Sequence, residues 1–142
     1  MKYSVVIDTN VIVSALRSRD GASFRLVSLL GESDKFEINV SVALVLEYED
    51  AAKRLIGKVP ISETAIEDLI DYICEIANEQ KVFFLWRPVS NDPNDDMVIE
   101  LAVAAGCQFI ITYNKQDFKN MKQFGIKAIS PAEFLEMIGD LP

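Results

Sequence analysis

Near the start of the chain, Val5-Val6-Ile7 is an unbroken β-branched run that ends on a carboxylate, Asp8. A strand that is apolar at successive positions is buried on both faces, as an inner strand of a helix-covered parallel sheet is. Such a strand tolerates an acid only where it ends, because burying an unpaired carboxylate is costly. In open parallel sheets the C-terminal ends of the strands line a crevice in which ligands bind. Asp8 is therefore the first candidate for chemistry. The alternative is an Asx-type turn, or a cap for a helix beginning near Val11.

The rest of the chain alternates between helix and strand signals. Helical segments are predicted over residues 11–16 and 22–30, the second stopped by Gly31. A strand follows over 36–40. Ser41 then caps a helix to about residue 56, with Gly57 and Pro60 beyond its end, and Ser62 opens another to about residue 78. Residues 82–85 read as the third strand and 88–94 as loop. A helix over about 94–105 stops at Gly106, and 109–112 is a fourth strand. A short helix after Asn114, a strand at 127–129 and a helix opened by Ser130-Pro131 complete the pattern. This alternation predicts one α/β domain over residues 1–142: a doubly wound parallel sheet of about five strands with helices on both faces. Half of the 142 residues are hydrophobic, enough for a core of that size. No apolar run is long enough to span a membrane and no secretory pattern opens the chain, so a cytoplasmic protein is expected. Cys74 and Cys107 have no metal-ligand or redox-motif spacing and read as two reduced core thiols.

The chain contains no histidine. That removes Ser-His-Asp and Cys-His catalysis, imidazole acid-base work and every zinc site that needs His. Hydrolytic chemistry would have to rest on carboxylates, with a metal. Against 14 Lys and Arg stand 22 Asp and Glu, a net charge of -8. This opposes sequence-independent adhesion to a polyanion. It does not oppose a nuclease, because a bound divalent cation reverses the local sign.

Three further acidic features fall near the same sheet edge. In the helix after Ser41, Leu44, Tyr48, Ala51 and Leu55 share a stripe, and Glu47 lies about 40° from Ala51, at its border. Pairing with Lys53 or Arg54 is the bland alternative for Glu47. In Asp92-Pro93-Asn94-Asp95-Asp96, acids suit a helix N-terminus in any case. Asp95, however, falls amid Val98, Ile99 and Ala102 and faces the sheet, while Asp96 turns towards Glu100 and solvent. Asn114 and Asp117 follow the fourth strand, on the edge that Asp8 would line. Clustered carboxylates repel unless a cation joins them, and an all-oxygen set without His or paired Cys favours Mg²⁺ or Mn²⁺.

Taken in order, Val6-Ile7-Asp8-Thr9-Asn10-Val11, Leu46-Glu47-Tyr48, Asp92-Pro93-Asn94-Asp95-Asp96 leading to Glu100-Leu101-Ala102, Ile110-Ile111-Thr112-Tyr113-Asn114, Asp117-Phe118, and Ser130-Pro131 with Glu133-Phe134 span essentially the whole chain. This ordered set resembles the PIN-domain nucleases, and within them the VapC-like toxins of prokaryotic type II toxin-antitoxin systems. The resemblance implies a metal-dependent ribonuclease with an acidic pocket at the strand C-terminal ends. By position, Asp8, Glu47 and Asp95 look like the family's three principal acids and its metal ligands. The fourth acidic position falls on Asn114, a departure: either three carboxylates suffice, or Asp117 contributes, or activity is reduced. Thr9 or Asn10 would support Asp8 by hydrogen bonding, with Thr112 and Asn114 nearby.

The expected reaction is in-line hydrolysis of an RNA phosphodiester, a divalent cation activating water and offsetting transition-state charge. Arg17, Arg19 and Arg25, and Lys115, Lys119 and Lys122, are candidate RNA contacts if they flank the crevice, or else a solvated surface. An antitoxin and a second copy of the chain are the partners implied, and Leu46 on the outer face of its helix agrees with a homodimer. Two alternatives stand beside this reading. One is a catalytically weak PIN-like binding protein, which Asn114 favours. The other is a phosphatase of the haloacid dehalogenase type, which fits poorly because Asn10 stands where a second Asp is needed and Asp95-Asp96 precede Lys115.

Overall fold

The computed structural model describes residues 2–82 and 93–140. Strands β1 (Tyr3–Ile7), β2 (Phe36–Val40), β3 (Asn78–Glu79), β4 (Phe109–Ile111) and β5 (Lys127–Ile129) form one sheet in the order β3-β2-β1-β4-β5. Every pairing is parallel. Around it run helices α1 (Thr9–Arg17), α2 (Ala22–Ser28), α3 (Val42–Lys53), α4 (Glu63–Ile76), α5 (Pro93–Ala104) and α6 (Pro131–Met137), with a 3₁₀ segment at Lys115–Phe124. The chain winds outward from β1 through β2 to β3, then returns to the other side of β1 for β4 and β5. Right-handed crossovers in opposite directions put the two sets of connections on opposite faces. The winding direction reverses between β1 and β4, so the crevice at their C-terminal ends is the topological switch point of the sheet.

The central place of β1 explains its composition. Val5 and Val6 are wholly buried between the layers, with Ile110 and Ile111 beside them on β4 and Leu26, Leu44, Ile73 and Leu101 arriving from the helices. At the N-terminal edge of the sheet, Phe134 of α6 meets Tyr3, Phe36 and Phe109 edge to face, with ring centroids 5.2 to 6.3 Å apart. Aromatic packing seals that end. The opposite end is left to polar groups.

The predicted caps form. Ser41 accepts the N–H of Leu44 at 3.2 Å and Ser62 that of Ala65 at 3.1 Å. Ser130 and Glu133 make a reciprocal capping box under Pro131. Asn78–Glu79, where the end of a helix is expected, instead pairs with β2 as a strand, through Asn39 and Val40. Both of its residues are exposed, because an edge pairing two residues long needs no apolar face. Val82 lies outside any strand, and the remainder of 82–85, with loop residues 88–92, lies outside the described residues.

Cys74 also departs from expectation, being exposed, whereas Cys107 is buried. α4 buries Ile66, Ile70 and Ile73, and Cys74 sits a further 100° around the helix from Ile73. No helix among the described residues is long and apolar enough to cross a membrane.

Gly31, which ends the α2 region, has φ +77, and a Cβ there would clash with the hydroxyl of Tyr72. That hydroxyl donates to the Leu30 carbonyl at 2.7 Å. Gly31→Ala must therefore hold a left-handed conformation and displace a hydrogen-bonded phenol. It should lose about 2 kcal/mol in urea unfolding. Adding Tyr72→Phe should recover part of that loss, and an unchanged midpoint in the single variant would contradict the packing.

Candidate active site

Asp8 follows β1 directly and is the N-cap of α1. It is 9% exposed. One carboxylate oxygen accepts the Thr9 N–H at 2.8 Å, and the other accepts the Thr112 hydroxyl at 2.8 Å and the Asn10 side-chain amide at 3.4 Å. The cap and the candidate site are thus the same residue, and the two readings of Asp8 do not compete.

Thr112 is fully buried just after β4. Its oxygen also accepts the Asn114 N–H at 3.0 Å and the Asn10 amide at 3.4 Å. With both lone pairs engaged, its single proton is committed to Asp8. Asn10 completes the brace by accepting the Tyr113 N–H at 3.3 Å. Thr9, Asn10 and Thr112 therefore clamp one carboxylate from either side of the switch point, and the Asn114 N–H in turn holds Thr112.

Tyr48 of α3 is buried beneath this group. Its hydroxyl donates to the Ile7 carbonyl, which ties α3 to the end of β1. Burial, and secondarily the charge of Asp8, push the phenol well above its ordinary pKa of 10.0, so it remains a donor. The helical stripe identified Tyr48 only as core. Its second role depends on the packing of α3 against the sheet.

Glu47 is half-buried on α3, next to Tyr48. The bland pairings predicted for it go elsewhere: Lys53 lies 3.8 Å from Glu49, and Arg54 binds Asp50. Asp95 and Asp96 occupy the first turn of α5, both half-buried. α5 packs on β1, β2 and β4 and also touches α3, which brings the helices that carry Glu47 and Asp95 against each other and beside the Asp8 strand. Asp92 lies outside the described residues.

Asn114 is exposed, with no side-chain cap bond to the 3₁₀ segment that it precedes. Asp117 is exposed one turn further on, its N–H bonded to the Asn114 carbonyl at 3.0 Å.

The basic candidates divide. Arg17 closes α1, nine residues and therefore about 13 Å of helix rise beyond Asp8, and Arg19 lies in the turn that follows. Both are exposed. Arg25 is tied to Asp140 at 2.5 Å. Lys115 reaches Glu133 at 2.9 Å, and this bond, with the Ser130 N–H, holds the Glu133 pKa down at about 2. The pair is half exposed, so a phosphate can compete for Lys115 at little cost.

A family model described as PIN domain matches residues 4–116. The chain belongs to the PIN domain family. PIN domains are generally nucleases that use divalent metal ions. Among solved structures, this PIN domain is similar to a chain of VapBC2 from Rickettsia felis bound to a DNA fragment from their promoter. The TM-score is 0.55 at 13% identity, covering 88% of this chain and 98% of that one. No curated protein matches the chain in sequence.

The donor chemistry at the switch point suits a hard divalent cation. It offers carboxylate oxygen held in place by hydrogen bonds from its surroundings, with neither imidazole nor thiolate at hand. Among the described residues, no group of three His, Cys, Asp or Glu is arranged to hold a metal ion. The structure brings Asp8 together with Thr9, Asn10 and Thr112.

Proposed function

We propose that this PIN domain, taken as residues 1–142, is a ribonuclease that hydrolyses RNA phosphodiester bonds with Mg²⁺ or Mn²⁺ held by Asp8, Glu47 and Asp95. The observation that carries the reading is the clamped Asp8 carboxylate at the switch point between β1 and β4. A structural cap would be served by one hydrogen bond from the helix. Here Thr112, Asn10 and Thr9 fix both oxygens, the kind of support that orients a metal ligand.

When bound, the cation would supply Lewis-acid stabilisation and a lowered water pKa. The protein's own part is to orient and to position. Thr112 and Asn10 hold the Asp8 carboxylate at one angle, and Tyr48 fixes the end of β1 on which it stands. Glu47 and Asp95 add negative charge from α3 and α5. Asn114 contributes an uncharged amide where the family pattern has an acid, and Asp117 stands one turn away to assist. Lys115, just past Asn114, supplies positive charge beside the crevice for the phosphate backbone, while Arg17 and Arg19, at the far end of α1, could meet only a more distant part of the strand.

The same reading makes the protein a cytoplasmic toxin of a type II pair, kept in check by a cognate antitoxin. The likeness to the VapBC2 complex supports that partner. Leu46, 59% exposed on α3, and Val42 beside it support a homodimer. The neutral, exposed Asn114 favours the second reading, a PIN domain that binds RNA or protein and cuts weakly. The family match leaves the phosphatase reading without support.

Incubation of the purified protein with a structured RNA distinguishes these readings. Fragments should appear with Mg²⁺ or Mn²⁺ and disappear with EDTA. Intact RNA under saturating metal, at any enzyme concentration, would reject the nuclease.

A further inference from the structure

We propose that Tyr113 is a stacking platform for one unpaired base of the RNA bound at this site. The inference rests on the nuclease reading above. Tyr113 lies between Thr112 and Asn114, so its backbone belongs to the clamp: its N–H donates to the Asn10 side chain that also binds Asp8. At its other end the phenol hydroxyl is 2.5 Å from the hydroxyl of Ser23, a buried residue in the first turn of α2. The ring therefore bridges the end of β4 and α2 and is fixed at both ends. It nevertheless leaves 48% of the residue exposed. A ring whose position is already set loses little conformational freedom when a flat partner lies on it.

The charge of the protein favours such a platform. A net charge of -8 opposes affinity built on phosphate contacts alone. The local cations are also partly engaged, Arg25 with Asp140 and Lys115 with Glu133. Stacking is the contact that an acidic protein can offer a nucleic acid without positive charge, and it tolerates any base. A base in a duplex has both faces covered by its neighbours, so the platform accepts only bases splayed from a single strand or loop.

The test compares wild type, Tyr113→Ala, Tyr113→Phe and, as a control on exposed aromatic surface, Phe124→Ala, on a short single-stranded RNA with Mg²⁺. Removing one stacked base is expected to raise KM about 5- to 100-fold in Tyr113→Ala. kcat should change less than about threefold, the pattern of lost uniform binding. Tyr113→Phe keeps the ring and loses only the Ser23 bond, so most of the affinity should return. The salt dependence of binding should keep its slope in Tyr113→Ala, since no charge is removed. On rapid mixing, 2-aminopurine walked along the strand should be quenched at one or two positions by wild type and at none by Tyr113→Ala.

Wild type that cuts RNA, with Tyr113→Ala retaining the wild-type KM and quenching, overturns this inference alone and leaves the ring as a protein contact. An equal loss in Phe124→Ala overturns it as well. Wild type that neither binds nor cuts any RNA overturns the nuclease reading, and this inference with it.

Discussion

Asp8→Asn should lower metal-dependent RNA cleavage at least about 100-fold, because even the groups that support a metal ligand are worth 10- to 100-fold. The same substitution should remove most of the thermal stabilisation that Mg²⁺ gives the wild type. At a tenfold excess over its Kd, a cation that binds only the folded state adds about 1.4 kcal/mol to unfolding. The fold should survive the change. An amide at position 8 carries one oxygen where the carboxylate has two, so its NH₂ must face either the Thr9 N–H or the Thr112 hydroxyl. Thr112 cannot readily turn to accept it, since its lone pairs already serve Asn10 and Asn114. That mismatch costs about 1–3 kcal/mol, and the loss of a buried negative charge offsets part of it. Melting curves with and without Mg²⁺ check both halves. Equal shifts in wild type and variant would show that Asp8 does not bind the cation.

What could be read in advance follows from the range over which each signal acts. The inner strand β1 was visible because burial on two faces writes itself into consecutive residues, Val5 to Ile7. Ser41, Ser62 and Ser130 were visible as caps because each bonds three residues ahead. Strand β3 was not visible: Asn78 and Glu79 carry no apolar alternation, and only the position of β2 makes them a strand. Cys74 borders the buried stripe of α4, and packing alone decides that it faces solvent.

The site divides in the same way. A strand that ends on Asp8 marks the acid locally. The hydroxyl that orients it comes from Thr112, 104 residues away, and the Ser23–Tyr113 contact spans 90. No spacing rule predicts either bond. The pairing of Lys115 with Glu133, which alters its standing as an RNA contact, is equally a product of the fold.

Asp95→Asn and Asp96→Asn should separate by activity although the two acids are adjacent and equally half-buried. Their helical neighbours differ. The residues three, four and seven positions after Asp95 are Val98, Ile99 and Ala102, all buried against the sheet. Three, four and seven positions after Asp96 stand Ile99, which borders the same buried stripe, Glu100, half-buried, and Val103, 46% exposed. The Asp95 stripe is thus the one that packs on β1, β2 and β4, and its first-turn end lies towards the strand C-terminal edge where Asp8 is clamped. Asp95→Asn should abolish metal-dependent cleavage, by about 100-fold or more, as for Asp8. Without metal the variant should remain folded, because the apolar stripe that packs α5 on the sheet is untouched. Asp96→Asn should cost at most about 1 kcal/mol through the helix dipole and keep most of the activity. Single-turnover cleavage at saturating Mg²⁺, with circular dichroism as the folding control, decides between them. An inactive Asp96→Asn beside an active, folded Asp95→Asn would reverse the assignment and show that the first turn of α5 is rotated relative to the stripe that follows it.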